Sequence, residues 1–222
     1  MFKSIDKFIF NSTIARDIYN KYLNVNGSII PITHRDIKDN RVKKDYNGKN
    51  LRLTYLGPFK EYKGFNLLID VMKELDKQGE KNIKLIAYGD TAKIENPMNN
   101  VTIKGRYSYD DLKDIFKETD LLVVPSIWNE TFGFITLEAV SYGVPVLITD
   151  KVGSKDLIVS GNYRNLGIVT STLKDDIIKN IKELKNNKNI INELNTNILN
   201  NSFEFDLTYH CMRIKELYNS LT

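Results

Sequence analysis

Four consecutive apolar residues, Leu121-Leu122-Val123-Val124, run through Pro125-Ser126 into a polar loop and then into a second apolar stretch. A short run with no polar face reads as a strand buried on both sides, and such strands belong to parallel sheets covered by helices. The same unit recurs. Arg52-Leu53-Thr54-Tyr55-Leu56 is a predicted strand followed by Gly57, and Phe65, Leu68, Ile69, Met72 and Leu75 mark one face of the helix after it. Ile83 to Tyr88 and Val101 to Lys104 are further strands, ended by Gly89 and Gly105. Leu112, Ile115 and Phe116 mark a short helix; a strand at Val146-Leu147-Ile148, a short helix over Ser154 to Val159 and a last strand at Gly167-Ile168-Val169 follow. Strands alternating with helices predict an α/β fold, a Rossmann-like parallel sheet with helices on both faces. Ligands of such sheets bind beyond the carboxyl ends of the strands, where the glycine loops fall.

The flanks differ. Lys7-Phe8-Ile9-Phe10 reads as a short buried strand, Asn11-Ser12-Thr13 as a helix cap, and Ile14, Ile18, Tyr19 and Tyr22 as the face of the helix behind it. Ser28 to Ile32 reads as another strand, and Arg35 to Asn50 as a polar linker. The tail is helical, with one stripe at Leu173, Ile177, Ile178, Ile181 and Leu184 and a second at Ile190, Ile191, Leu194 and Ile198. A third runs through Leu207, Cys211, Ile214, Leu217, Tyr218 and Leu221.

Composition narrows the function. The formal net charge of +4 suits a phosphate ligand or an anionic membrane surface. Aromatic residues are not interleaved with clustered basic ones, so nucleic acid is not an expected partner. The single Cys211 excludes an internal disulfide; its place in an apolar stripe predicts a core residue in a reducing cytoplasm. No apolar run approaches the roughly 20 residues of a spanning helix, and the start lacks a signal peptide's apolar core. His34, His210 and Cys211 lack metal-ligand spacing, so no metal is expected.

The chemistry concentrates in Trp128-Asn129-Glu130-Thr131-Phe132-Gly133-Phe134-Ile135-Thr136-Leu137-Glu138-Ala139. Glu130 falls in a loop at the mouth of a helix. Eight residues are close to a whole number of turns, which predicts Glu138 near the same face, about two turns into the helix. Carboxylates accept hydrogen bonds from hydroxyls, and a helix N-terminus attracts an anion. The pair therefore suits a ligand carrying both hydroxyls and phosphates.

This pattern resembles the donor-binding signature of retaining GT-B glycosyltransferases, family 4. The resemblance covers about Asn50 to Val169: Tyr55-Leu56-Gly57, Lys63-Gly64, Leu85-Ile86-Ala87-Tyr88-Gly89, Val101-Thr102-Ile103-Lys104-Gly105, and Leu137-Glu138-Ala139 through Gly143-Val144-Pro145-Val146 follow the family's blocks in order. It implies the C-terminal half of a GT-B fold with a helical C-terminal tail. Residues 1–50 are then a remnant of the N-terminal domain and the linker, 51–185 the nucleotide-sugar-binding domain, and 186–222 the C-terminal helices. The implied reaction moves a sugar, of hexosyltransferase type, from a nucleotide diphosphate-sugar to an acceptor hydroxyl with retention and without a metal or other cofactor.

By that resemblance Glu138 binds the ribose. Glu130 lies by the donor sugar and the developing positive charge, and Lys63 holds the departing diphosphate. The N–H groups of Phe132, Gly133 and Phe134 face the sugar or diphosphate. Gly57, Gly89, Gly105, Arg106 and Tyr107 line the donor edge, the last two beside the base. The family carries an arginine where this chain has Pro58; Lys60 is the candidate substitute. The acceptor, a carbohydrate or a lipid-linked one, is bound in the family by an N-terminal domain, expected here on another chain. His34, at the entrance to the linker, is not expected to replace the histidine which that domain supplies. Three readings follow: a cytoplasmic transferase, compatible with attachment at the inner face of a membrane; a nucleotide-sugar-binding module; or an interaction subunit of a split transferase. The isolated chain is expected to be inactive.

Overall fold

The computed structural model describes residues 4–25, 27–90, 97–159 and 165–221. The chain begins with β1 (Phe8–Phe10), α1 (Thr13–Asn20) and β2 (Gly27–Ile29). Ser12 starts α1 by accepting a hydrogen bond from the Ala15 N–H. The main body follows: β3 (Leu51–Leu56), α2 (Phe65–Lys77), β4 (Ile83–Tyr88), β5 (Val101–Lys104), α3 (Leu112–Lys117), β6 (Leu121–Val124), α4 (Phe134–Ser141), β7 (Val146–Thr149), α5 (Lys155–Val159) and β8 (Gly167–Thr170). Three helices, α6 (Lys174–Asn186), α7 (Lys188–Asn200) and α8 (Leu207–Asn219), close it.

All pairings in the main sheet are parallel, and among the described residues its order is β5-β4-β3-β6-β7-β8. From β3 the chain builds outward on one side; at β6 it crosses to the other. A crevice opens at such a reversal, outside the carboxyl ends of the two central strands. Alternate side chains build two cores. Leu51, Leu53, Tyr55 and Val123 face Leu68 and Met72 of α2 and Ile177 and Ile181 of α6. Leu56, Leu122 and Val124 face Phe116, Leu137 and Val140 of α3 and α4. The Rossmann-like sheet with helices on both faces and a helical C-terminal end is therefore as expected.

Several local expectations are corrected. β2 stops at Ile29 instead of reaching Ile32, because Pro31 has no N–H to extend the ladder. β1 is not a buried strand: among the described residues its sheet has two strands, Phe10 alone of the three is buried, and Ile9 is 43 % exposed. Leu173 is the exposed residue before α6, not part of its buried stripe. Cys211 is exposed, because α8 buries none of its residues. That helix meets the linker along one side, where Thr33 Oγ1 donates to the Phe205 carbonyl at 2.5 Å and His210 Nδ1 lies 2.8 Å from the Pro31 carbonyl. Leu207, Met212, Tyr218 and Leu221 are left exposed. Among the described residues no helix is long and apolar enough to cross a membrane.

Candidate active site

The crevice between β3 and β6 is built by backbone that only glycine allows. After β3 the chain turns at Gly57, with φ +150°, and the Tyr55 hydroxyl donates to the Pro58 carbonyl at 2.7 Å. A single 3₁₀ turn, Glu61–Lys63, ends at Gly64 with φ +73°. A Cβ at Gly64 would lie 1.8 Å from the Pro125 carbonyl oxygen, so the loop after β3 docks on the loop after β6 only because no side chain intervenes. That docking brings Lys63 over the crevice, with Nζ 3.0 Å from Glu130 Oε2. Glu130 is fixed through its backbone: its N–H donates to the Lys151 carbonyl and its carbonyl accepts from Gly153. The resulting cleft, about 170 Å³, is lined by Gly57, Pro58, Lys63, Glu130, Gly133 and Phe134, among others.

α4 starts at this cleft. Gly133 precedes it with φ +99°, and a Cβ there would lie 2.8 Å from Val152 Cγ1. Among the described residues, the N–H groups of Phe132, Gly133 and Phe134 donate to nothing, as expected where a helix begins. The Phe132 ring is buried in the core, so only its backbone can serve a ligand; the Phe134 ring is 37 % exposed. Glu130 is only 11 % exposed at its side chain, and its Oε1 is buried with no hydrogen-bond partner among the described residues. Ser154 Oγ and Thr136 Oγ1 are also buried and unpaired. Buried polar atoms are normally hydrogen-bonded. Of these, Glu130 lines the cleft, whereas Thr136 lines a separate apolar pocket with Leu137, Val140 and Leu157.

Glu138 is placed differently from the sequence expectation. α4 begins at Phe134, so Glu138 lies just over one turn in, not two. Glu130 lies outside the helix and is positioned by its bridge to Val152, so helical periodicity does not align the two carboxylates. Glu138 is not among the cleft-lining residues. Its carboxylate, 15 % exposed, lies 3.5 Å from His34 Nε2. Burial pushes the Glu138 carboxyl above the usual carboxylate range, and His34 acts against that shift. Tyr107, edge-on to Tyr88 at 6.2 Å, and Tyr109 stand nearby; burial, and secondarily the Glu138 charge, pushes the Tyr107 hydroxyl up to about 12.

The other candidate residues divide. A Cβ at Gly89 would lie 2.3 Å from the Gly57 carbonyl oxygen, so Gly89 sets the close approach of the loops after β3 and β4. Its N–H donates to the Gly105 carbonyl at 3.2 Å. Gly105 itself is exposed, with nothing within 4 Å of an added Cβ, and Arg106 is also exposed. Lys60 does not fill the place left by Pro58: it is exposed at the start of the 3₁₀ turn and does not line the cleft. The contact of His34 with Glu138 was not expected from the sequence; it is long-range and leaves no local pattern.

The N-terminal segment also reaches this edge. Ser12 Oγ donates to the Thr131 carbonyl at 2.5 Å, and the Thr13 N–H and Oγ1 donate to Asp156 at 2.6 and 2.7 Å.

Comparison with known proteins gives the family and supports the fold. A family profile described as glycosyl transferases group 1 matches residues 36–204. The chain is 27 % identical to an uncharacterized glycosyltransferase of Methanocaldococcus jannaschii, covering 98 % of this chain and 66 % of that protein. The fold superposes on sucrose-phosphate synthase of Thermosynechococcus elongatus with a TM-score of 0.74 at 17 % identity, covering 97 % of this chain and 58 % of that one. It superposes on HepE of Anabaena in complex with UDP-glucose with a TM-score of 0.73 at 18 % identity, covering 96 % and 63 %. The chain thus spans about two thirds or less of the length of these proteins.

Proposed function

The chain belongs to the glycosyl transferases group 1 family, and from that membership we propose that it is the donor half of a retaining sugar transferase. Its substrate is a nucleoside diphosphate-sugar. The observation that carries this reading is the pairing at the start of α4: Glu130 shares one oxygen with Lys63 at 3.0 Å and, among the described residues, keeps the other buried and unpartnered beside the unpaired N–H groups of Phe132, Gly133 and Phe134. Lys63 and the helix N-terminus hold the diphosphate. Glu130 accepts from sugar hydroxyls and stabilises positive charge at the anomeric carbon. Glu138 accepts from the ribose hydroxyls in the adjacent group of tyrosines. The bond from the anomeric carbon to the diphosphate breaks, the acceptor oxygen bonds to that carbon, and its proton passes to the departing diphosphate. The positive field of Lys63 and the helix takes the place of a metal.

Calorimetric titration with UDP-, GDP- and ADP-glucose tests this. One base class binds, and Glu138→Ala weakens it by about tenfold, the worth of a hydrogen bond to a charged group. Binding of none, or equal binding by the variant, rejects the assignment.

A second reading rests on β1, β2 and α8. β1 and β2 form a two-stranded parallel sheet, and α8 buries none of its residues. Two strands alone are marginal. An acceptor-binding domain seated on this sheet and helix makes the chain one subunit of a two-part transferase, inactive alone. Sugar transfer by the purified chain without any partner rejects that reading.

A further inference from the structure

His34 stands in the linker between β2 and β3, yet its ring closes over α4. It lies 5.3 Å from the Phe134 ring and 5.9 Å from the Tyr109 ring, near edge-on to both. Nε2 is 3.5 Å from Glu138 Oε1, and Nδ1 is 3.7 Å from Asp36 Oδ2. The Tyr109 hydroxyl donates to the Asp36 carbonyl, which ties this stretch of linker to the segment after β5. The ring thus lies between two aromatics, with a carboxylate oxygen within 3.5–3.7 Å of each nitrogen. No other described side chain pairs with the Glu138 carboxylate. The groups facing it are His34 from the linker, Tyr107 and Tyr109 from the segment after β5, and Tyr142 just beyond α4. Of these only the His34 imidazole can carry positive charge.

We propose that His34 is a positioning residue for donor binding: it fixes one oxygen of the Glu138 carboxylate and keeps the group ionised, leaving the other oxygen to accept from the ligand's vicinal hydroxyls. This rests on the reading of Glu138 as the ribose acceptor. The physical need is plain. A carboxylate buried beside neutral tyrosines is driven toward its protonated form. A protonated carboxyl has a hydroxyl where an acceptor is required. An unpinned carboxylate also loses rotamer freedom when the ligand orders it. The linker thereby becomes a working part of the donor site, although the nucleotide is held by elements that begin beyond it.

Two measurements on the full chain test this separately. In the ligand-free protein, the Glu138 side-chain carboxyl is titrated by carbon NMR in wild type, His34→Ala and His34→Gln. The midpoint rises by about one unit in His34→Ala, the effect of removing an opposite charge at this range. His34→Gln, which can donate but carries no charge, recovers only part of that shift. In the second arm, whichever of UDP-, GDP- and ADP-glucose the wild type binds is titrated from pH 5 to 8; their diphosphate has no group titrating there. At pH 7 His34→Ala binds about tenfold more weakly, and its acid-side loss of affinity moves to higher pH. His34→Gln regains most of the affinity at pH 7 but keeps the displaced acid limb.

An unmoved Glu138 midpoint in His34→Ala overturns the proposal while leaving the donor assignment standing. So does full affinity in His34→Ala alongside lost affinity in Glu138→Ala. Full affinity in both variants, or no binding of any of the three sugars to wild type, rejects the donor reading of Glu138, and the role of His34 falls with it.

Discussion

The two glutamates of the Trp128–Ala139 segment look alike in sequence and live in opposite surroundings. Glu130 is held by backbone at both its N–H and its carbonyl, and its charge is met by Lys63 at 3.0 Å. Glu138 hangs from α4 among tyrosines, and His34 Nε2 of the linker lies 3.5 Å from its carboxylate. The first is a product of the sheet: wherever β3 and β6 lie side by side with their loops docked, Lys63 meets Glu130. The second depends on a segment outside the sheet. The Lys63–Glu130 contact is therefore set by the sheet, and the surroundings of Glu138 are conditional on where the linker lies.

The comparison is broken most severely at Gly64. Its φ of +73° and the 1.8 Å approach of a Cβ to the Pro125 carbonyl oxygen leave no room for Ala. Gly64→Ala is expected to cost at least about 3 kcal/mol, from backbone strain plus a backbone clash that one side chain cannot relieve. Chemical denaturation reads it directly. Gly105→Ala is the control, because nothing lies within 4 Å of the added atom; it stays within about 0.5 kcal/mol of wild type. A mild Gly64→Ala would mean that the docking of the two loops does not set the cleft.

The next largest effect is Lys63→Ala. It leaves the nearly buried Glu130 carboxylate with neither oxygen partnered among the described residues. Lys63 is itself 31 % exposed at its side chain, so water and salt share in the pair, and the expected loss is about 1–3 kcal/mol. A double-mutant cycle with Glu130→Gln isolates the pair: the double variant recovers part of the loss if the uncompensated charge is its cause.

These contrasts also show what the sequence could carry. Leu121–Val124, the glycines that end β3, β4 and β5, and the apolar faces of α2 and α4 encode the sheet locally, through periodicity and turn chemistry. The Lys63–Glu130 half of the site was legible for the same reason, since both residues sit in short loops directly after central strands. Glu138 was named but misplaced: the helix begins only where Gly133 allows it, so counting eight residues from Glu130 counts through a loop. The proximity of His34 to Glu138 left no trace in the sequence, because it joins the linker to α4 across about a hundred residues and has no local spacing. Cys211 failed for a further reason. An apolar stripe records that a helix can be covered, not that this chain covers it.

The smallest expected effect separates the two carboxylates by sign. Burial raises the folded-state affinity of Glu138 for its proton. Between the usual carboxylate range and that raised midpoint the folded state binds more protons than the unfolded one, so stability falls as pH rises through the window. Glu138→Gln cannot ionise and lacks that slope. Above the window it is expected to be more stable than wild type by about 1 kcal/mol or less, although it binds the donor worse. Glu130→Gln surrenders its ion pair and is expected to lose stability instead. Thermal melts of both variants from pH 4 to 7 decide it. In a His34→Ala background the wild-type slope at Glu138 extends to higher pH, because the His34 contribution that opposes burial is gone. If Glu138→Gln instead destabilises the fold at neutral pH, its carboxylate is a structural partner of His34, and the site keeps only one glutamate free to meet a ligand.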